Sequence, residues 1–187
     1  ENVQAHINLG MVKYNTGDKG DAMKLWEKSI NLKTDDNDSK AINNIANLYK
    51  EEKNYDKAIE RYQLAAKNDP MNSMYMNNLA DTLRLNGQLD QAMKVLQNSL
   101  KLNSAGMGTY FNLGLVYRDL KENKKALDAF KKSIQVNGAL TEAYYQIAQI
   151  HLTMKNRDLA LKFIEKAIGF SPNNLTYQES RKKILAL

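Results

Sequence analysis

The sequence predicts an all-α protein, an α-solenoid of five helix-turn-helix units followed by a C-terminal capping helix. Three observations predict it. One set of small and large residues recurs five times in register. The composition favours helix, because Ala, Leu, Lys, Glu, Gln and Met run throughout and only two Pro and nine Gly interrupt 187 residues. The last segment then breaks the recurring pattern with charge. Hydrophobic residues make up 43% and charged residues 26%, the balance of a folded chain rather than a disordered one. No apolar run is long enough to cross a bilayer.

The register is set by Gly10, Ala46, Ala80, Gly114 and Ala148, spaced by 36 residues and then three times by 34. Ala22, Ala58, Ala92, Ala126 and Ala160 follow with the same spacing. Four residues after each of these Ala comes a large side chain, in turn Trp26, Tyr62, Leu96, Phe130 and Ile164. Three further on stand Ser29, Ala65, Ser99, Ser133 and Ala167, all small. Each unit therefore reads as two antiparallel helices, A and B. The small residue of helix A and the Ala of helix B let the pair approach closely. The bulky residue one turn later fills the space between neighbouring units. Apolar side chains at i, i+3, i+4 and i+7 complete one face of each helix.

The elements follow in order. Unit one, 3–36, turns at Gly17 and ends in "TDDNDS", two residues longer than the equivalent loops. Its Asp35, Asp36 and Asp38 lack the Gly and distal Glu of a calcium loop and read as solvated loop and helix start. A longer loop adds little entropy. Unit two, 39–72, turns at Lys53 and closes near Pro70. Unit three, 73–106, turns at Gly87 and carries Ser104 where unit two has Pro. In unit four, 107–140, Tyr110, Leu113, Gly114 and Tyr117 make the inner face of helix A. Ala126, Leu127, Phe130 and Ile134 make that of helix B, with Lys121 in the turn. Unit five, 141–174, turns at Lys155 and ends near Pro172. Lys at three of the five turns indicates that the turn does not demand Gly. In 175–187, Arg181 and Lys182 fall where Leu and Gly would be buried. This segment reads as a cap that docks through Tyr177, Ile184 and Leu185 and shows its charges to water. No cap precedes Val3, and Glu1 is not an initiator Met. The sequence is thus expected to be cut or processed from a longer protein, with the open N-terminal edge otherwise available for self-association.

These residues resemble the tetratricopeptide repeat (TPR), a 34-residue helix-turn-helix. That family's consensus has an aromatic, Leu, Gly and then Tyr in helix A; Ala, a large apolar residue and Ala in helix B; and a Pro after it. Pro70 and Pro172 match the last position, whereas Thr34, Ser104 and Gly138 replace it elsewhere. The resemblance spans almost the whole chain and implies a right-handed α-solenoid whose A helices line a concave, ligand-binding surface.

No nucleophile, base and acid gather into a catalytic pattern, and there is no Gly-rich phosphate loop. The reading is therefore non-enzymatic, without cofactor or metal. The two His are explained by the repeat: His6 stands where later units have Tyr110 and Tyr144, and His151 where others have Tyr49 and Tyr117. Met74, Met76 and the Tyr144–Tyr145 pair fit core or groove packing. The absence of Cys excludes disulfides and thiolate metal sites and fits a reducing, cytoplasmic compartment. Net charge is +6, with pI ≈ 9.3, but Lys and Arg are interspersed with Asp and Glu, as on a solvated helical surface.

Two positions before each aligned small residue stand Asn8, Asn44, Asn78, Asn112 and then Gln146. Asn is a poor residue inside a helix, so five carboxamides in register need a reason. One reason is geometric. A carboxamide complements a peptide amide, A helices should lie about 10 Å apart, and an extended chain covers that in about three residues. The row would hold a peptide backbone without reading its sequence, and it resembles the family's asparagine ladder. The other reason is structural, because Asn is common here in the family and bonds between helices or to water. Flanking groove positions hold Ile7, Met11, Tyr14, Asn43, Asn47, Asn77, Asp81, Phe111, Leu115, Tyr145 and Gln149. Lys50, Arg84 and Arg118 form a basic row near the ends of three A helices, suited to an acidic ligand or to the helix dipole. The family's dicarboxylate clamp for chaperone tails is not matched, since Gly108 and Asn112, or Met74 and Asn78, stand where it needs Lys and Arg.

The leading expectation is a protein–protein interaction scaffold that binds a peptide or partner segment in the groove. The alternatives are a self-assembling structural array, possible as a homo-oligomer; a single-stranded nucleic-acid binder, permitted by the pI but lacking a continuous basic groove; and the regulatory part of a larger enzyme.

Overall fold

A computed structural model describes residues 2–32, 38–102 and 106–187. Among these residues every regular element is helical, and the helices form two compact units. Unit 1, Glu1–Asn103, holds α1 (Val3–Asn15), α2 (Lys19–Asn31), α3 (Asp38–Glu51), α4 (Tyr55–Asn68), α5 (Ser73–Leu85) and α6 (Leu89–Leu102). Unit 2, Ser104–Leu187, holds α7 (Met107–Asp119), α8 (Asn123–Val136), α9 (Thr141–Thr153), α10 (Arg157–Phe170) and α11 (Leu175–Leu185). Each is a run of helix-turn-helix hairpins in which a helix packs on its sequence neighbours, the solenoid pattern. Thr34, Asp35, Asp36 and Ser104 lie outside the described residues, as does the side chain of Asp38.

The recurring residues form the core. Ala22, Ala58, Ala92, Ala126 and Ala160 are fully buried, as are Tyr62, Leu96, Phe130 and Ile164 and the small residues that follow. Trp26 is 1% exposed. It packs with Ala41 and Ile45 of the next hairpin, as expected of a residue between units. It also lies across helix A of its own hairpin: its Nε1 donates to the Ile7 carbonyl at 3.2 Å, and its ring meets Tyr14 at 5.9 Å. That second contact explains where Gly is used. A Cβ on Gly10 would lie 2.4 Å from Trp26 Nε1, and one on Gly114 2.5 Å from Phe130 Cε1. Ala80 and Ala148 stand with Leu96 and Ile164, and Ala46 with Tyr62, so it is the lie of the Trp26 and Phe130 rings, not an aromatic as such, that requires Gly.

The hairpin turn is stricter than its sequence suggests. Lys53, Lys121 and Lys155 have φ of 60°, 61° and 58°, the left-handed conformation also taken by Gly17 and Gly87. The hydrogen bonds require it. Lys53 N donates to Lys50 O at 3.0 Å and Asn54 N to Tyr49 O at 2.8 Å, the paired bonds of a Schellman helix end. The same pair recurs at Lys121–Glu122 and Lys155–Asn156. The turn therefore demands a left-handed residue, and Lys occupies it at a steric cost of about 1 kcal/mol. The next residue starts the following helix. Asp18, Asn54 and Asn156 each accept from a backbone N–H three residues on, and Asn2 and Asn174 cap α1 and α11 in the same way. Capping thus accounts for part of the Asn richness.

The last helix, α11, docks on α10 through Tyr177 and Ile184, both buried. Leu185 does not dock: it is 43% exposed. Arg157 of α10 instead donates to the Ile184 and Leu185 carbonyls at 3.0 and 2.7 Å, satisfying carbonyls that the helix end leaves free.

Candidate functional site

In unit 1 the A helices are α1, α3 and α5, and a recess of about 320 Å³ opens among them. Met11 and Tyr14 of α1, Asn44, Asn47, Lys50 and Glu51 of α3, and Leu85 of α5 line it, with Trp26 of α2 behind. The repeat explains this meeting: one helical turn separates Asn44, Asn47 and Lys50, and Met11 and Tyr14 share the register positions of Asn47 and Lys50. Met11 and Leu85 are 38% and 40% exposed, so apolar surface rims the recess.

The predicted carboxamides are not equivalent. Asn44 is half-buried and bonds to no other described residue, which leaves a donor and an acceptor for a ligand. Asn78 donates to Asn43 Oδ1 at 2.9 Å, and Asn43 is buried, so this pair ties α5 to α3. Asn47 accepts from the Tyr62 hydroxyl. Burial, then the Asp81 and Glu51 carboxylates, push that hydroxyl well above the ordinary tyrosine value, so it remains a donor. Asn8 is exposed and accepts from Gln4 Nε2 at 2.7 Å. Asn77 is half-buried on α5, and Ile7 is buried in the core.

Two members of the basic row meet on one carboxylate. Lys50 donates to Asp81 Oδ2, and Arg84 Nη2 to Asp81 Oδ1 at 2.8 Å. Burial raises the Asp81 pKa, but Lys50 and Arg84 outweigh it and hold the carboxyl below the usual aspartate value. Glu51, at the edge of the recess, is paired with Lys19 at 2.9 Å.

In unit 2 the corresponding groups are bound to one another. Arg118 chelates Asp119 Oδ1 through Nε and Nη2 at 3.0 and 2.7 Å and donates from Nη1 to Gln146 Oε1. Gln146 donates to Glu142 at 2.7 Å, and the Tyr177 hydroxyl donates to the other Glu142 oxygen at 2.8 Å. Gln149 reaches Ser180 at 3.4 Å, and the Tyr145 ring lies 5.0 Å from that of Tyr177. Phe111 lies against Phe130 at 5.5 Å, and Leu115 is buried. Asn112 is half-buried on α7. A second recess, of about 420 Å³, lies by Arg118, Lys121, Asn123, Gln149, Ile150 and Thr153.

His6 is half-buried, with Nδ1 3.0 Å from the Asn2 carbonyl at the start of its own helix. His151 is buried and stacked on Phe163 at 5.7 Å, and its Nδ1 has no partner among the described residues. Burial, then the charge of Lys131, lower its pKa. Among the described residues, no three His, Asp or Glu side chains are grouped to hold a metal ion. No described helix is long and apolar enough to cross a membrane.

Comparison with known proteins places this arrangement. Residues 141–174 match the family model for the tetratricopeptide repeat, and residues 51–133 match that for anaphase-promoting complex, cyclosome, subunit 3. The chain is also similar in structure to TTC0263, a thermophilic TPR protein of Thermus thermophilus. The TM-score is 0.82 with 23% identity, over 100% of both chains. The chain carries a tetratricopeptide repeat at 141–174 and has the fold of TPR proteins. Further likenesses are to MamA, with TM-score 0.70 and 24% identity over 90% of this chain and 97% of that one, and to YrrB, a TPR protein with an unusual peptide-binding site. The YrrB match has TM-score 0.66 and 20% identity over 97% and 92%. At these identities the likeness is one of fold. No curated protein sequence matches the chain.

Leu85 and Glu51, which share one register position, are the A-helix lining residues that the register argument misses. The column reads Asn15, Glu51, Leu85, Asp119 and Thr153, so for Leu85 a lone apolar residue in a polar column was the available signal.

Proposed function

We propose that this TPR chain is a non-catalytic interaction module that binds a peptide or extended partner segment along the A-helix face of unit 1. The observation that carries the reading is the recess among α1, α3 and α5, where Met11, Tyr14 and Leu85 line the same space as Asn44, whose carboxamide bonds to no other described residue. The peptide-binding site named for YrrB, a protein of like fold, supports it by analogy. The division into five repeats at 3–36, 39–72, 73–106, 107–140 and 141–174, closed by 175–187 as a cap, belongs to the same reading. The hairpin pairing and the family match over 141–174 support it. Asn78, Gln146, Arg84 and Arg118 are then taken up by bonds to neighbouring side chains and Asn8 by a bond within its own helix, with Asn44, Asn47 and Lys50 facing the guest.

A second reading, assembly of copies through the α1 edge, draws on Leu9 and Val12, 48% and 56% exposed. The test is binding of the chain to an immobilised peptide array, repeated at rising salt, beside sedimentation of the free chain. The first reading requires peptide spots whose signal survives salt. Binding that collapses with salt and transfers to single-stranded RNA would replace it with nucleic-acid recognition. Self-association without peptide spots would favour the second reading.

A further inference from the structure

We propose that the recess of unit 1 selects a bulky apolar side chain lying next to an acidic residue in the bound segment. This rests on the peptide-binding reading above and adds what the peptide must contain. Size sets the first requirement. A cavity of about 150 Å³ lined by aliphatic side chains holds a benzene, and this recess is about 320 Å³. One large aliphatic or aromatic side chain therefore fits, together with the backbone that carries it. Its contacts are Met11, Tyr14 and Leu85, two of them apolar groups left exposed in the free protein. Covering them is favourable by the ordinary hydrophobic term.

Backbone holding sets the second requirement. Asn78 is committed to Asn43, and Asn47 Oδ1 to Tyr62, whereas among the described residues neither half of the Asn44 carboxamide has a partner. Asn44 is thus placed to pair with one peptide amide beside the inserted side chain.

Charge sets the third. Lys50 lines the recess and carries three N–H donors, of which one goes to Asp81. Asp81 gives its other oxygen to Arg84, so the carboxylate that faces Lys50 is shared between two cations. The other acid in the lining, Glu51, is held by Lys19. A ligand carboxylate next to the anchor therefore finds Lys50 donors available, and a ligand lysine meets repulsion.

The probe is a random-peptide phage library selected on the whole chain, with hits remade as fluorescent peptides and titrated by anisotropy. The expected motif is a Leu, Ile, Phe or Met adjacent to Asp or Glu. Asn44→Ala should weaken every hit by about fivefold, the scale of one hydrogen bond. Lys50→Gln should weaken acidic hits by about tenfold and leave their Asn or Gln counterparts unchanged. The double variant Met11→Ala, Leu85→Ala should erase the preference for a large anchor. Circular dichroism shows whether each variant keeps its helices, and both rim residues are exposed enough for that. Enriched peptides that lack the apolar–acidic pair, or that bind these variants unchanged, would overturn the pocket assignment and leave peptide binding standing. A library that yields no binder would remove the peptide reading itself.

Discussion

The Trp26 ring rests on Gly10 with no room for a methyl group between them, since a Cβ there would be 2.4 Å from Nε1. Phe130 sits on Gly114 in the same way, at 2.5 Å. Neither ring is the free end of a flexible chain, because both are buried. Gly10→Ala and Gly114→Ala should each destabilise the fold by about 1–3 kcal/mol through overpacking, despite the better helix propensity of Ala. Pairing Gly114→Ala with Phe130→Leu reproduces the Ala80 and Leu96 combination of the third hairpin and should recover much of the loss. Urea denaturation measures both. An unchanged midpoint in the single variants would mean that the rings have slack.

The hairpin turns supply a prediction of opposite sign. Lys53, Lys121 and Lys155 hold left-handed backbone that Gly adopts without a Cβ clash. Replacing each by Gly should stabilise by up to about 1 kcal/mol, the steric relief exceeding the added flexibility of the unfolded chain. Gly17→Ala and Gly87→Ala, at 89° and 77°, should destabilise by a similar amount. Thermal melts of the five variants would show the two groups moving apart, and uniform behaviour would contradict the shared turn geometry.

These outcomes divide along what the sequence made legible. The columns that became the core, from Ala22 and Trp26 to Ile164 and Ala167, were readable because a fixed period maps each residue onto the same environment. The left-handed turn was hidden, because Lys carries no signature of positive φ. The candidate site was legible as a face and not as a set of bonds. Asn43 and Asn78 occupy neighbouring register positions, yet one is buried and accepts from the other. A carboxamide's partner depends on side-chain geometry that spacing does not encode. The same holds for Gln146, which completes the Asn row in register but is bonded to Arg118 and Glu142.

His151 should make stability fall in mild acid. Burial, then Lys131, lower its pKa below the ordinary 6.5, so the folded state favours the neutral ring. A depressed folded pKa means that this contribution is whole above pH 6.5 and is lost as pH falls through the folded value. His151→Tyr places the residue that Tyr49 and Tyr117 supply at the same position in other hairpins and removes the titration. Denaturation midpoints measured through mildly acidic pH should slope for the native chain and be flatter for the variant. Parallel slopes would assign the acid sensitivity elsewhere.

Tyr177 carries the corresponding prediction in base. Its hydroxyl donates to Glu142, which accepts from Gln146, which accepts in turn from Arg118, so α11, α9 and α7 are joined through one polar chain. Burial, then the bond to Glu142 and its charge, push the Tyr177 pKa up to about 12. A raised folded pKa gives stability that is whole below the ordinary value of 10.0 and is lost as pH climbs toward 12. Ultraviolet titration should therefore show late-ionising tyrosines, Tyr62 and Tyr177 among them, and Tyr177→Phe should lower their number by one. The same variant leaves Glu142 one donor short and should destabilise by about 1 kcal/mol at neutral pH. Adding Gln146→Ala should then cost less than it does in the native chain, because linked bonds are not additive. Additive losses would mean that the three helices are held by separate contacts.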